Sequence, residues 1–421
     1  MLGAPNEENL RTHIDLTQQH GDGGPFLLGS KLFVGTRTEH TANLGQAKTT
    51  HPRFATLPLP KGQQHRRTAD MDKVLVTGGC GFLGSHIVRK LIERGVGRVR
   101  VLALPNETTQ NIEDLDVDVV RGNVLSPDDC TTAVEGVDTV FHAAAIYKAF
   151  MPDPTMMYEV NSRGTFNMLE ASRRSGVDKV IYTASIVSLG RPPEGQLGDE
   201  DTQYEAWDIP FAYSLSKYHS RKIAEDFARW GLDVRIVYPG GVFGPADIAP
   251  TPSGKIIIQC LQTRPLTQVH LAMLERVRGQ KPDLMPAMYV DGGMSFVDVR
   301  DCAEVHIRAA ERGRPNRGYV ATAHNLTQGE FVDTVARSIN LGHNFVKIPT
   351  PLARRIVGSM EKVAAKSNEE PALTASFFEY TLKPSFFSNR RSVEELGATY
   401  RPIEDTIRDA VEYFREVGYV T

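Results

Sequence analysis

The sequence predicts an α/β protein: a doubly wound parallel sheet with helices on both faces, followed by a smaller, mostly helical C-terminal lobe. Three observations carry this. From Lys73 onward, short β-branched runs alternate with longer stretches of helical period, the pattern of right-handed crossovers between parallel strands. Between the first such strand and the first helix stand Gly78, Gly81 and Gly84 at three-residue spacing. After about Pro245 the alternation loosens into a Pro-rich turn, "PADIAPTPSG", and longer helical stretches.

"KVLVTGG" is an unbroken apolar run, as a strand buried on both faces requires, and "GSHIVRKLIERG" is a helix closed by a glycine stop. "RVRVLAL" is the second strand, and "DVDVVRGNV", "VDTVFHAAA", "DKVIYTAS" and "LDVRIVYPG" continue the series. Beyond them lies a helical stretch near 253–279. "MSFVDVRDCAEVHIRAAERG" then reads as a strand and helix returning to the main body at about 294–312, followed by "RGYVATA" and further helices.

Residues 1–70 differ in kind. They are polar, hold five of the twelve histidines without a shared period, and contain six acidic residues, which argues against a mitochondrial targeting peptide. A poorly ordered extension is expected there, with Met71 opening the functional unit. Lys and Arg total 48 against 51 Asp and Glu, so the charge balance gives no footprint for nucleic acid or an anionic membrane. No run approaches the roughly 18 apolar residues of a membrane-spanning helix. Cys80, Cys130, Cys260 and Cys302 are far apart and form no CxxC or Cys/His cluster, so neither metal nor disulfide framework is expected and a reducing, cytoplasmic setting fits.

The glycine trio is the first functional signal. In "VLVTGGCGFLGSHIV" the first glycine permits a tight turn, the second lets a pyrophosphate approach the backbone, and the third lets helix and strand pack closely. The following helix turns its unpaired N–H groups and positive dipole end to the anion. Gly78, Gly81, Phe82, Leu83 and Gly84 are therefore expected to hold a dinucleotide in a Rossmann-type site. An acid at the end of the second strand would mark NAD, and a nearby arginine NADP. Those places fall on Ala103 and Leu104, which leaves NAD and NADP both open.

The second signal is "AYSLSKY", with Tyr213 four residues before Lys217. Such pairs are common on any amphipathic helix. They acquire chemistry here because hydride transfer to a ketone needs a proton donor at the carbonyl oxygen. A tyrosine can serve where a nearby cation draws its pKa down. Ser185 lies just past a strand ending near Thr183, at the carboxyl edge where ligands bind in such sheets, and offers a hydroxyl to position the substrate oxygen.

"TGGCGFLG", "GNV" at 122–124, "FHAAA" at 141–145 and "YSLSK" together resemble the extended short-chain dehydrogenase/reductase family, over roughly residues 73–415. "YPGGVFGPADIAPTPSGKIII", "FVDVRDCAEVH" and "FFSNRRSVEELGATYRPIEDTIRDAVEYF" resemble its dihydroflavonol-4-reductase-like branch, including the hopanoid-associated sugar epimerase-like members. The resemblance implies that Ser185, Tyr213 and Lys217 form the catalytic set, 28 residues separating Ser185 from Tyr213. It implies that Gly122, Asn123 and Val124 flank the adenine, Asn123 replacing the usual Asp but keeping an accepting oxygen. It also implies that Pro239 and Gly240 contact the nicotinamide amide. Ala143 and Ala144 leave room for the cofactor, with His142 structural. Asn161 falls where the family has "NVxGT", and either polarises a relay water or holds the helix start.

These readings divide the chain into the extension, an NAD(P)-binding domain at 71–250 and a substrate-binding lobe at 251–421. Tyr147, Ser185 and Val242 are expected against the substrate. The leading function is ketone/secondary-alcohol interconversion on a small to medium, hydrophobic molecule of dihydroflavonol, hydroxysteroid or 3-oxoacyl type. The alternative is an NAD-retaining nucleotide-sugar epimerase. Sugar dehydratases of the family carry Asp-Glu after the catalytic Thr, and "TASIV" lacks them. A cofactor-sensing protein without turnover would be expected to have lost part of the set. Family habit implies a homodimer through a four-helix contact that includes the Tyr213 helix. Two apolar stripes stay open to two uses: "VHLAMLERVRG" as core or substrate lid, and Leu352, Ile356, Met360 and Val363 as a buried face or a weak membrane-surface contact.

Overall fold

In this computed structural model the described residues are 71–148, 151–203, 211–264, 285–367 and 374–420. The expectations for 1–70 and for "VHLAMLERVRG" lie outside them. The strands are β1 (Lys73–Thr77), β2 (Arg98–Ala103), β3 (Asp118–Arg121), β4 (Thr139–His142), β5 (Lys179–Thr183), β6 (Val234–Pro239), β7 (Gly241–Phe243), β8 (Thr263–Arg264), β9 (Met285–Pro286), β10 (Met288–Tyr289), β11 (Gly293–Asp298), β12 (Gly318–Ala321), β13 (His324–Thr327) and β14 (Val346–Lys347). The helices are α1 (Phe82–Glu93), α2 (Pro127–Ala133), α3 (Thr155–Tyr158), α4 (Thr165–Arg174), α5 (Ala212–Arg229), α6 (Pro252–Leu261), α7 (Val299–Arg312), α8 (Gln328–Ser338), α9 (Thr350–Ser367), α10 (Ala375–Thr381), α11 (Arg390–Leu396) and α12 (Ile403–Glu416).

Seven strands form one parallel sheet in the order β12-β6-β5-β4-β1-β2-β3. Strand alternation sends neighbouring apolar residues to opposite faces, so both faces need a core. Val74 and Val76 pack with Ile87, Val88 and Leu91 of α1 and with Val305 of α7. Leu75 and Val140 pack on the other face with Met168 and Leu169 of α4 and Phe227 of α5. This is the doubly wound fold the sequence predicts.

The order reverses between β1 and β4, which opens a crevice at their carboxyl ends. Thr77–Gly78, His142–Ala144, Thr183–Ser185 and Pro239–Gly240 leave neighbouring strands along this one edge.

The returning segment near 294–312 divides its two elements. Its strand, β11, joins a three-stranded sheet between β7 and β13. Its helix, α7, covers the large sheet beside α1. The strand that completes the large sheet is β12, paired in parallel with β6. A separate core of Phe243, Ile257, Phe296, Phe331, Ile407 and Phe414 holds the C-terminal elements together. On α9 the buried positions are Ala353 and Val357, while Leu352 is exposed. Of the expected stripe, Ile356 and Met360 are half-buried beside these two and Leu352 turns outward. No helix among the described residues is long and apolar enough to cross a membrane, and all four cysteines are free and buried.

Candidate active site

The glycine loop leaves β1 with Gly78 at φ +69°, and a methyl group there would come within 2.9 Å of the Ala144 backbone. The Gly81 N–H closes the turn on the Gly78 carbonyl at 3.0 Å. A Cβ on Gly84 would overlap that same carbonyl, so only glycine lets α1 start this close to β1. Gly81 caps α1 with no side-chain hydrogen bond, and no acid stands in the first turn. Phe82 and Leu83 open the helix. An uncapped N-terminus over a side-chain-free cradle fits a pyrophosphate.

Opposite the loop, a buried hydrogen-bond chain fixes the end of β4. The Ala144 N–H donates to Thr77 Oγ1 (3.2 Å), which lies 2.7 Å from His142 Nδ1. His142 Nε2 meets Thr165 Oγ1 at 3.1 Å, and that hydroxyl donates to the Asn161 carbonyl (2.6 Å). The donors assign His142 as the neutral Nε2–H tautomer. Burial, with Lys217 adding to it, pushes the imidazole down to about 3, in keeping with a structural part.

Asn161 lies in a π-helical segment, Glu159–Gly164. Its Nδ2 donates to the Ile146 carbonyl (3.1 Å) and to Ser216 Oγ (2.9 Å), and its Oδ1 accepts the Ile146 N–H (2.8 Å). Both amide hydrogens are thus committed to tying the segment after β4 to α5. These contacts match the holding alternative and leave no donor for a relay water.

Ser185 is buried just past β5, its Oγ 3.5 Å from the Pro239 carbonyl. Tyr213, in the first turn of α5, is buried beneath Tyr147 with ring centroids 4.7 Å apart. Burial chiefly, then the Tyr147 and Tyr182 phenols, pushes Tyr213 well above its ordinary value, while a hydrogen bond with Ser185 acts the other way. The helix carrying Tyr213 lies against the end of β5 that carries Ser185, since Lys217, one turn on, reaches the Thr183 carbonyl. The expected lowering of the phenol by Lys217 is not found. Lys217 Nζ donates to the Thr183 carbonyl at 2.7 Å and lies 5.3 Å from the centre of the Tyr182 ring. Burial pushes the ammonium down to about 7, so desolvation governs both groups.

That burial has a measurable cost. Between pH 7 and 10.5 the unfolded chain keeps a Lys217 proton that the folded chain has released, so stability rises with pH across this window. We expect Lys217→Met to stabilise the cofactor-free protein at pH 6 by about 2–4 kcal/mol, with the margin shrinking toward pH 10. Denaturant titrations at the two pH values measure this; a margin independent of pH would mean that Lys217 is not desolvated.

Sequence reasoning missed the carbonyl that holds Lys217 and the group behind it. Thr183 Oγ1 lies 3.0 Å from His306 Nε2, and His306 Nδ1 lies 2.8 Å from the Cys302 carbonyl, one turn back in α7. The "CAEVH" spacing signals the intrahelical contact, but not the contact with Thr183. Also missed were the charges at the end of β2. Ala103 pairs with Arg121, whose Nη1 donates to the Leu104 and Glu107 carbonyls (2.9 and 2.8 Å). The Glu107 carboxylate accepts the Leu104 N–H at 2.9 Å.

The remaining predicted residues are also placed. Asn123 uses its Oδ1 to accept the Leu125 N–H (2.9 Å), so the turn itself engages that oxygen. Val124 is buried against Gly164. Ala143 donates its N–H to the Thr77 carbonyl at 3.2 Å. Pro239 ends β6, and a side chain on Gly240 would overlap the Ser295 carbonyl. Val242 is half-buried in β7. Tyr147 Oη meets Ser253 Oγ of α6 at 3.3 Å. No cluster of metal-ligating side chains occurs among the described residues.

A parallel sheet with a glycine cradle at its switch point, beside a buried serine and tyrosine, defines a dinucleotide-dependent enzyme of the extended short-chain dehydrogenase/reductase class. Residues 74–321 match the model of the NAD dependent epimerase/dehydratase family, and the chain belongs to that family. It is similar to a Synechocystis protein named as a dihydroflavonol 4-reductase, 31% identical over 83% of this chain and 96% of the relative. It is also similar to sterol demethylase protein B of Methylococcus capsulatus, 27% identical over 82% of this chain and 99% of the relative. Among solved structures, the crystal structure of gox2253 superposes with a TM-score of 0.70 at 32% identity, covering 83% of this chain and 100% of that one.

Proposed function

We propose that the protein interconverts a ketone and a secondary alcohol, using Ser185, Tyr213 and Lys217, on a hydrophobic small molecule. The observation that supports this reading is that α5, with buried Tyr213 in its first turn and Lys217 bonded to the Thr183 carbonyl, lies against the end of β5 that carries buried Ser185, on the strand edge that also carries the glycine cradle. Gly78, Gly81, Phe82, Leu83 and Gly84 would hold the pyrophosphate, with Val124, Ala143 and Ala144 beside the adenosine half and Pro239 and Gly240 at the nicotinamide end. NAD, when bound, supplies or accepts the hydride.

The chain's own part is proton chemistry at the substrate oxygen. Ser185 donates a hydrogen bond to the carbonyl, and Tyr213 delivers its phenolic proton as the oxygen gains negative charge. The phenol is held above its ordinary value by burial, so it is protonated at neutral pH, and the negative charge growing on the substrate oxygen must draw its proton out. Lys217, protonated below about pH 7, opposes the phenolate that remains. Asn161 keeps α5 in register with the end of β4. The relatives named as a dihydroflavonol reductase and a sterol demethylase protein support a ketone or alcohol on an apolar framework.

The proposal includes the division into a cofactor-binding part at 71–250 and a substrate-binding part at 251–421, a cytoplasmic setting, and a homodimer through a contact containing α5. The test is to purify the full chain, identify any dinucleotide it retains, and follow nicotinamide absorbance with a panel of ketones and hydroxysteroids. Oxidation of NADH by a ketone is expected. Retained NAD with isomerisation of a nucleotide sugar and no net redox turnover would overturn the reading in favour of an epimerase.

A further inference from the structure

A cavity lies in the C-terminal part of the molecule, between α6, α8, α9, α10 and the strands β10 and β11. Its volume is about 310 Å³, at the lower end of the range for small-molecule pockets. Ile256, Met294, Phe331, Val357, Met360 and Phe377 are among its walls, and none of the described lining residues is charged.

Three contacts join this cavity to the catalytic edge. Phe377 packs on Phe211 at 5.3 Å between centroids, and Phe211 stacks on Tyr213 at 6.2 Å. Ser253, one turn before Ile256 on α6, meets the Tyr147 hydroxyl, and Tyr147 covers Tyr213. Met294 lies beside Gly241, which follows Pro239 and Gly240. From Ser253 to Cys260 the α6 wall runs roughly 10 Å away from the tyrosines.

We propose that this cavity receives the apolar body of the substrate, so that the molecule reduced is a ketone carrying an alkyl or fused-ring group about 10 Å long, and not a nucleotide sugar. This deepens the reductase reading and rests on it. Three of the polar side chains in the wall are turned to the protein. Thr263 Oγ1 donates to the Cys260 carbonyl, Thr381 Oγ1 to the Phe378 carbonyl, and Gln328 Nε2 to the Thr381 carbonyl. A nucleoside diphosphate would bring negative charges that need cations or aligned N–H donors, and the described part of the wall offers no cation. An apolar enclosure of this kind instead takes up apolar matter, and the methionines Met288, Met294 and Met360 in its wall allow it to adapt to the shape of the guest.

The test uses two homologous series with the full chain: methyl ketones of increasing length for kcat/KM, and fatty primary amides, whose carbonyl resists hydride, for Kd by calorimetry. Each added methylene should improve both by about fourfold, the equivalent of ~0.8 kcal/mol, until the cavity is full. Ala353→Phe, which adds a ring to the buried wall, should move the plateau to shorter chains, and Met360→Ala should move it to longer ones. Reduction of short ketones without a length dependence in either series would overturn the cavity assignment and leave the reductase reading intact. A length dependence in amide binding with no ketone turned over would overturn the reductase reading and keep the apolar site. A nucleotide sugar bound more tightly than the longest amide would overturn the substrate class.

Discussion

Tyr213→Phe should lower turnover by about 10²–10⁴-fold, the usual contribution of a positioned proton donor, while leaving dinucleotide affinity within about twofold of the parent. The substitution removes only the hydroxyl. The ring's packing against Tyr147 and Phe211 survives it, and none of the hydrogen bonds that hold α5 in place uses that hydroxyl: Asn161 reaches α5 through Ser216, and Lys217 is held by Thr183. Loss of turnover could then be ascribed to the missing proton and not to a displaced helix. Stopped-flow measurement of the hydride step, with dinucleotide titration in parallel, separates the two. Unchanged turnover would remove Tyr213 from the mechanism and leave Ser185 without a reacting partner.

The features legible in the sequence are those written in local pattern. The strand-helix alternation gives the parallel sheet, and the glycine trio gives the cradle, because both follow from backbone geometry within a few residues. Ser185 and Tyr213 are proposed on residue type and position at an element's end. What escapes is set by partners distant in the chain. Asn161 reads equally as relay or brace until Ile146 and Ser216 are seen to occupy its amide. Lys217 reads as a cation beside a phenol, yet its burial decides its charge and the Thr183 carbonyl its place. At the end of β2 the local residues carry no charge, while Arg121 arrives from the neighbouring strand and Glu107 from the loop that follows. The apolar cavity assembles from helices more than a hundred residues apart, Ile256 facing Phe377, and no window of sequence contains it. On α9 the periodicity finds Ile356 and Met360, which line the cavity, but overlooks Ala353 and Val357 beside them and counts in Leu352, which is exposed.

Gly84→Ala should weaken dinucleotide binding by at least about 100-fold and destabilise the fold by about 2–4 kcal/mol, by forcing α1 away from β1. The added methyl group would overlap the carbonyl of Gly78 and press on Gly79 Cα at 2.9 Å. All are backbone atoms, so no side-chain rotamer can relieve the contact. Gly78 cannot yield either, since its own Cα faces the Ala144 backbone and its carbonyl receives the Gly81 N–H. The shift must fall on the start of α1, the part whose uncapped N–H groups are offered to the pyrophosphate, and stability and affinity should be lost together. Gly95→Ala is the control. Gly95 also has a positive φ, +72°, but a methyl group there meets nothing within 4 Å, so it should cost about 1 kcal/mol through backbone strain alone and leave binding unchanged. Fluorescence titration with dinucleotide and denaturant unfolding of both variants make the comparison. Equal effects of the two alanines on affinity would show that the loop tolerates a side chain at its third glycine, and that the cradle does not bind the cofactor through its closeness to the sheet.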